Sequence, residues 1–124
     1  FSYWFPNGGP SPDSFLTAIV AFDTFTPASG SLELFPGLHH SQLPPPQPGS
    51  KDIDEENVDF PDSVIVSMEP GEVLLLHGLT PHRSGPNTSE NNRESLFLTY
   101  TTEGLGKLGD EYYSNRPIDF MNSQ

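Results

Sequence analysis

Two side chains with complementary chemistry stand eleven residues apart, His82 and Arg93. A neutral imidazole is a good transition-metal ligand, and a guanidinium offers a planar fork that grips a carboxylate at two points. The turn between them, Arg83 to Asn92, is rich in Gly, Pro, Asn and Ser, and the apolar run Ser95-Leu96-Phe97-Leu98-Thr99-Tyr100-Thr101 follows. That order fits a metal ligand and an anion clamp held on neighbouring strands. If both face one cavity, the site holds a metal beside a small carboxylate-bearing molecule. The chain has no cysteine, so any metal here must be bound by His, Asp or Glu.

Other residues compete for these roles. His77 closes the run Val73-Leu74-Leu75-Leu76, and residue type alone does not separate it from His82 as a ligand. Neighbouring residues on a strand point to opposite faces, so His39 and His40 could not both serve one metal from regular β structure. A structural or surface role is expected for them. A zinc or iron cupin using His39, His40, His77 and Asp23 is a further arrangement. Arg93 also has a plainer reading, a surface ion pair with Glu90 or Glu94, which would contribute little.

The elements that must position these groups are strands. Phe15 to Asp23 alternates Thr17, Ile19 and Ala21 with Leu16, Ala18, Val20 and Phe22, which predicts a strand buried on both faces. Ser31 to Phe35 and Ser63 to Met68 read as further strands. Glu69-Pro70-Gly71-Glu72 has the Pro and Gly of a type II turn and leads into Val73 to His77, again apolar on both faces. Near Arg93 a fifth strand begins, with Ser95, Phe97 and Thr99 on the arginine's face. Five strands and no convincing amphipathic helix predict an all-β antiparallel jelly roll, incomplete because a double Greek key needs eight. The aromatic patch at Tyr3 and Trp4 is either a strand end capping a core or a wall against substrate. Leu43-Pro44-Pro45-Pro46-Gln47-Pro48-Gly49 and the acidic run Asp52 to Glu56 are loop chemistry, a lid over a site or a mobile insertion.

Composition bounds the rest. A chain of 124 residues with 33% hydrophobic content, 14 Pro and 11 Gly is one domain with a thin core. Its net charge of -12, from 17 acidic and 5 basic residues, repels nucleic acid and anionic membrane. No run approaches the ~20 apolar residues that cross a bilayer. The chain reads as the inner part of a longer, soluble intracellular protein whose oligomeric state the sequence does not reveal.

Three blocks in unbroken order carry a resemblance. They are Gly30-Ser31-Leu32-Glu33-Leu34-Phe35-Pro36-Gly37-Leu38-His39, then Glu69 to Gly78, then Pro81-His82-Arg83-Ser84-Gly85-Pro86-Asn87 with Arg93. They resemble the phytanoyl-CoA dioxygenase family of Fe(II)- and 2-oxoglutarate-dependent oxygenases, built on a double-stranded β-helix. The resemblance implies a partial core over residues 1–102, with 41–62 as a loop or lid insertion and 103–124 as a tail. It implies His82 as the distal metal ligand, with Arg93 and Ser84 holding the distal carboxylate of 2-oxoglutarate, and Asn87 shaping the turn between them. It also implies hydroxylation of a small organic substrate with release of succinate and CO2. The family's His-x-Asp, which supplies the other two iron ligands, would precede Tyr3-Trp4 and is absent from this sequence, so this chain alone is expected to be inactive. A non-catalytic jelly-roll binding module is the alternative. The negative charge and the aromatic patch favour a neutral or cationic small molecule over a CoA thioester.

Overall fold

Alternation with a period of two decides the architecture. The computed structural model describes residues 12–40, 43–44 and 52–102. They form β1 (Leu16–Ala21), β2 (Leu32–Leu34), β3 (Val64–Ile65), β4 (Val73–His77), β5 (His82–Ser84) and β6 (Ser95–Tyr100), with short 3-10 turns at Pro12–Ser14 and Leu38–His40. One sheet has the order β4-β1-β6 and the other β3-β2-β5, and every pairing is antiparallel. The chain passes from one sheet to the other after β1, β3, β4 and β5, the crossing pattern of an all-β jelly roll. Tyr3, Trp4, the proline-rich stretch 45–48 and the tail 103–124 lie outside the described residues.

Register assigns each side chain to a face. In antiparallel strands directly opposite residues share a side of the sheet. Ile19 pairs with Leu74 and Phe97, Thr17 with Leu76 and Thr99, and Ala21 with Ser95. In the second sheet Leu34 pairs with His82 and Leu32 with Ser84. Ile19, Ala21, Phe25, Leu32, Met68 and Leu76 form one buried cluster, joined by Leu34, Val66 and Leu74. These faces therefore look at each other across a shared interior. Phe25 and Ile19 have no exposed surface, and burying side chains of this size contributes roughly 1.5–3 kcal/mol each.

Turn chemistry fixes the connections. Gly71 has φ 90°, and the Glu72 amide donates to the Glu69 carbonyl at 3.0 Å, the type II geometry expected there. The turn 26–30 is stapled by Ser29, which is buried. Its hydroxyl accepts from the Thr26 amide at 2.9 Å and donates to the Thr26 carbonyl at 3.1 Å. A Phe25–Met68 bridge and a bond from the Ser31 hydroxyl to the Val66 carbonyl tie the turn to the segment after β3.

Three expectations change. There are six strands among the described residues rather than five. The additional one, β5, is three polar, exposed residues with no apolar signature, and it exists because β2 pairs with it. The run 63–68 is regular only at Val64–Ile65. Burial on both faces of β1 and β4 holds only in part among the described residues, because on the outer face Ala18 is buried while Leu16, Val73 and Leu75 are exposed.

Candidate functional site

β5 alternates its three side chains across the second sheet. His82 and Ser84 share the inner face with Leu34 and Leu32, while Arg83 lies on the outer face opposite Glu33. The His82 Nδ1 lies 2.9 Å from the Thr80 carbonyl oxygen. A carbonyl only accepts, so in the neutral ring Nδ1 carries the proton and Nε2 keeps a free lone pair, the tautomer suited to binding a metal. The strand entering this position is held by the Phe35 amide donating to the Pro81 carbonyl at 3.1 Å.

Arg93 stands one alternation before Ser95 on the inner face of β6. Its guanidinium carbon lies 5.0 Å from the centroid of the fully buried Phe25 ring, so the side chain is turned toward the core and half-buried. Glu94 fixes the backbone beside it. Its amide donates to the Asp23 carboxylate at 2.8 Å, and its carbonyl accepts from the Phe22 amide at 3.0 Å. The ion pairs among the described residues all belong to Arg83, so neither Glu90 nor Glu94 neutralises Arg93. Arg93 is thus a half-buried cation on an aromatic face with no carboxylate partner among the described residues, the kind of group that can receive an anion.

The loop joining Ser84 to Arg93 is built from local side-chain bonds and one close approach. Asn87 donates to the Asn91 carbonyl at 2.8 Å and accepts from the Ser89 amide at 2.9 Å, so its side chain is spent on shaping the loop. The Thr88 amide and hydroxyl both donate to the Ala28 carbonyl. Gly30, at φ 72°, lies so close that a Cβ there would sit 2.5 Å from the Gly85 carbonyl oxygen and 3.1 Å from the Asn87 nitrogen. In the sequence Gly30 stands only at the head of a motif block, and nothing local announces its fit against residues 85–87.

Sequence reasoning also missed Arg83. Its Nε donates to Glu33 at 2.6 Å and its Nη1 to Glu55 at 3.0 Å, with the guanidinium 5.3 Å from the Phe35 ring centroid. Phe35 in turn lies 4.6 Å from Phe60. The hydrogen bond from Arg83, then that from Ser63, holds the Glu33 carboxyl below its ordinary value. The acidic run, read from the sequence as loop chemistry, is thus partly engaged through Glu55. Glu55 thus contacts Arg83, and Phe60 contacts Phe35, on the face of the second sheet opposite that of His82 and Ser84.

The cupin arrangement is excluded by register. His77 pairs with Leu16 at one end of β1, whereas Asp23 lies beyond the other end, about 23 Å away at ~3.3 Å per residue. His39 and His40 sit in a 3-10 turn rather than on a strand, with ring centroids 4.0 Å apart, and His39 lies 5.5 Å from His77. Among the described residues no three His, Asp or Glu side chains converge to hold a metal. His77 alternates with Leu74 and Leu76 onto the outer face, and its Nδ1 accepts from the Leu79 amide at 3.2 Å. Of the two competing histidines, only His82 stands on the inner face. No helix among the described residues is long and apolar enough to cross a membrane.

The chain is similar to known proteins. The family described as phytanoyl-CoA dioxygenase (PhyH) matches residues 1–95. The chain is 35% identical over 105 residues to the methylphosphonate hydroxylase of Gimesia maris (strain ATCC 29201 / DSM 8797 / 534-30), covering 85% of this chain and 40% of that protein. It is 29% identical over 110 residues to the iron/alpha-ketoglutarate-dependent dioxygenase ausO of Aspergillus calidoustus, covering 87% and 35%. Among solved structures it superposes on the non-heme alpha ketoglutarate dependent epimerase SnoN from nogalamycin biosynthesis with a TM-score of 0.60 and 26% identity, covering 83% of this chain and 44% of that one. The chain thus spans 40% of the length of the methylphosphonate hydroxylase and less of the ausO dioxygenase.

Proposed function

The chain belongs to the phytanoyl-CoA dioxygenase family, and from that premise we propose that the whole protein is an Fe(II)- and 2-oxoglutarate-dependent dioxygenase that hydroxylates a small organic substrate. The observation that carries this reading is Arg93, an inward cation stacked on Phe25 without a carboxylate partner among the described residues. Ser84 stands on the facing inner surface, paired with Leu32 in the same cluster as Phe25. A guanidinium and a hydroxyl facing one interior fit the far carboxylate of a dicarboxylic acid. His82 presents Nε2 from the same inner face as Ser84, and iron would take one ligand here and two from outside the described residues. Bound iron and 2-oxoglutarate supply oxygen activation coupled to decarboxylation, with succinate and CO2 released. The chain's own part is to orient the cosubstrate through Arg93 and Ser84 and to keep His82 in its metal-binding tautomer.

Two relatives bear on the substrate. One is the methylphosphonate hydroxylase, and the other is the 2-aminoethylphosphonate dioxygenase of Uncultured bacterium HF130_AEPn_1, 31% identical over 51 residues. Both names specify compact molecules. They support a small substrate over a bulky CoA thioester. The alternative is a non-catalytic jelly-roll binding module.

Calorimetric titration of 2-oxoglutarate into full-length protein loaded with Mn(II) separates the two. The oxygenase reading expects metal-dependent binding, weakened in Arg93→Ala by roughly tenfold or more, as removal of a charge-assisted clamp implies. Parent protein that binds neither Mn(II) nor 2-oxoglutarate establishes the binding-module reading. Succinate release compared across methylphosphonate, a quaternary ammonium compound and a CoA thioester then ranks the substrate classes, and fastest turnover with the thioester would overturn the preference stated here.

A further inference from the structure

We infer that Arg83 is a positioning residue that staples the acidic loop onto the back of β5 and thereby holds His82 and Ser84 in place. The role assigned to His82 and Ser84 rests on the oxygenase reading, while the staple itself rests on geometry. Among the described residues β5 is an edge strand of its sheet, has β2 as its one neighbour, and contains three residues. A strand this short has few ladder bonds to fix it, so side chains must contribute. Arg83 is the middle residue, and its two neighbours are the candidate metal ligand and the candidate carboxylate ligand on the opposite face.

The guanidinium makes three separate connections. Nε bonds Glu33, directly opposite on β2, at 2.6 Å, which resists slippage of β5 along its partner. Nη1 bonds Glu55 in the acidic loop at 3.0 Å. The guanidinium carbon lies 5.3 Å from the Phe35 ring centroid, and the ring of Phe60, from the same loop, has its centroid 4.6 Å from that of Phe35. Glu33 is fixed from its other oxygen by the Ser63 hydroxyl at 2.5 Å. Loop, β2 and β5 therefore meet at one side chain. A single exposed ion pair would do little, but a fork shared between two carboxylates and an aromatic face has less freedom left to lose. The loop acts from behind the site as a brace.

Hydrogen exchange and 2-oxoglutarate titration on the full-length protein test this together, comparing the parent with Arg83→Gln, Arg83→Lys and Glu55→Gln. Arg83→Gln is expected to speed exchange at residues 52–60 and at 82–84 and to weaken metal-dependent 2-oxoglutarate binding about threefold to tenfold. That is less than the ~10–100-fold that loss of a direct outer-shell partner produces. Glu55→Gln is expected to loosen the loop with a smaller effect on 82–84, and Arg83→Lys to recover part of both. Parental exchange at 82–84 in Arg83→Gln overturns the inference, as does faster exchange there with unchanged affinity. Absence of 2-oxoglutarate binding in the parent would count against the oxygenase reading instead, and the exchange at 82–84 would still decide whether Arg83 braces the strand.

Discussion

Replacing Gly30 with alanine isolates one contact on which the candidate site depends, because a second glycine provides its own control. Gly30 has φ 72° and Gly37 has φ 86°, so an alanine at either pays for left-handed backbone, about 1–2 kcal/mol. The two differ in surroundings. A Cβ on Gly37 would meet nothing within 4 Å, whereas one on Gly30 would meet the Gly85 oxygen at 2.5 Å and the Pro86 carbon and Asn87 nitrogen at 3.1 Å. All three are backbone atoms of consecutive residues, so no side chain can swing aside. Overpacking of this kind adds about 1–3 kcal/mol, giving about 2–5 kcal/mol for Gly30→Ala against about 1–2 for Gly37→Ala. The atoms that must yield follow directly on Ser84. A displacement near 1 Å at a reacting centre costs about a hundredfold in rate, so 2-oxoglutarate affinity should fall about tenfold in Gly30→Ala and stay parental in Gly37→Ala. Urea unfolding of the full-length variants, paired with 2-oxoglutarate titration, reads both quantities. Equal destabilisation of the two variants, or a parental affinity in Gly30→Ala, would falsify the claim that residues 85–87 are seated on Gly30.

Three further outcomes are expected. Ser29→Ala should lower stability by about 1–3 kcal/mol, since it strips the buried turn 26–30 of its staple and leaves the Thr26 amide without that acceptor, and chemical denaturation measures it. His82→Ala should abolish metal binding by equilibrium dialysis while leaving the unfolding midpoint near the parent's, because the side chain is exposed and its one hydrogen bond is to nearby Thr80. The Glu33 carboxyl is held below its ordinary value of 4.5 by Arg83 and then Ser63, so the stability it contributes is fully present above that pH and is lost as pH falls through the lowered folded-state value. The gap in urea midpoint between parent and Glu33→Gln should therefore be widest at neutral pH and shrink below 4.5, and a gap that does not change with acid would refute the role given to this pair.

By itself the sequence determined whatever depends on neighbours along the chain. Alternation of Thr17, Ile19 and Ala21 with their apolar partners set β1 and its two faces, and Pro70-Gly71 set the turn that feeds β4. The same alternation placed Arg93 on the face of Ser95, Phe97 and Thr99, which the pairing with β1 turns inward. The Gly, Pro, Asn and Ser content of residues 83–92 marked a turn for the same local reason. Only the tertiary structure decided which elements meet. β5 has no apolar pattern and becomes a strand through β2, and that pairing puts His82 on the inner face while register puts His77 on the outer one. Arg83 finds Glu33 fifty positions away, and Gly30 receives the backbone of Gly85. Such contacts leave no trace in a short window of residues, because antiparallel pairing and close packing are chosen by the whole chain's need to bury Ile19, Phe25, Leu32 and Leu76 in one interior.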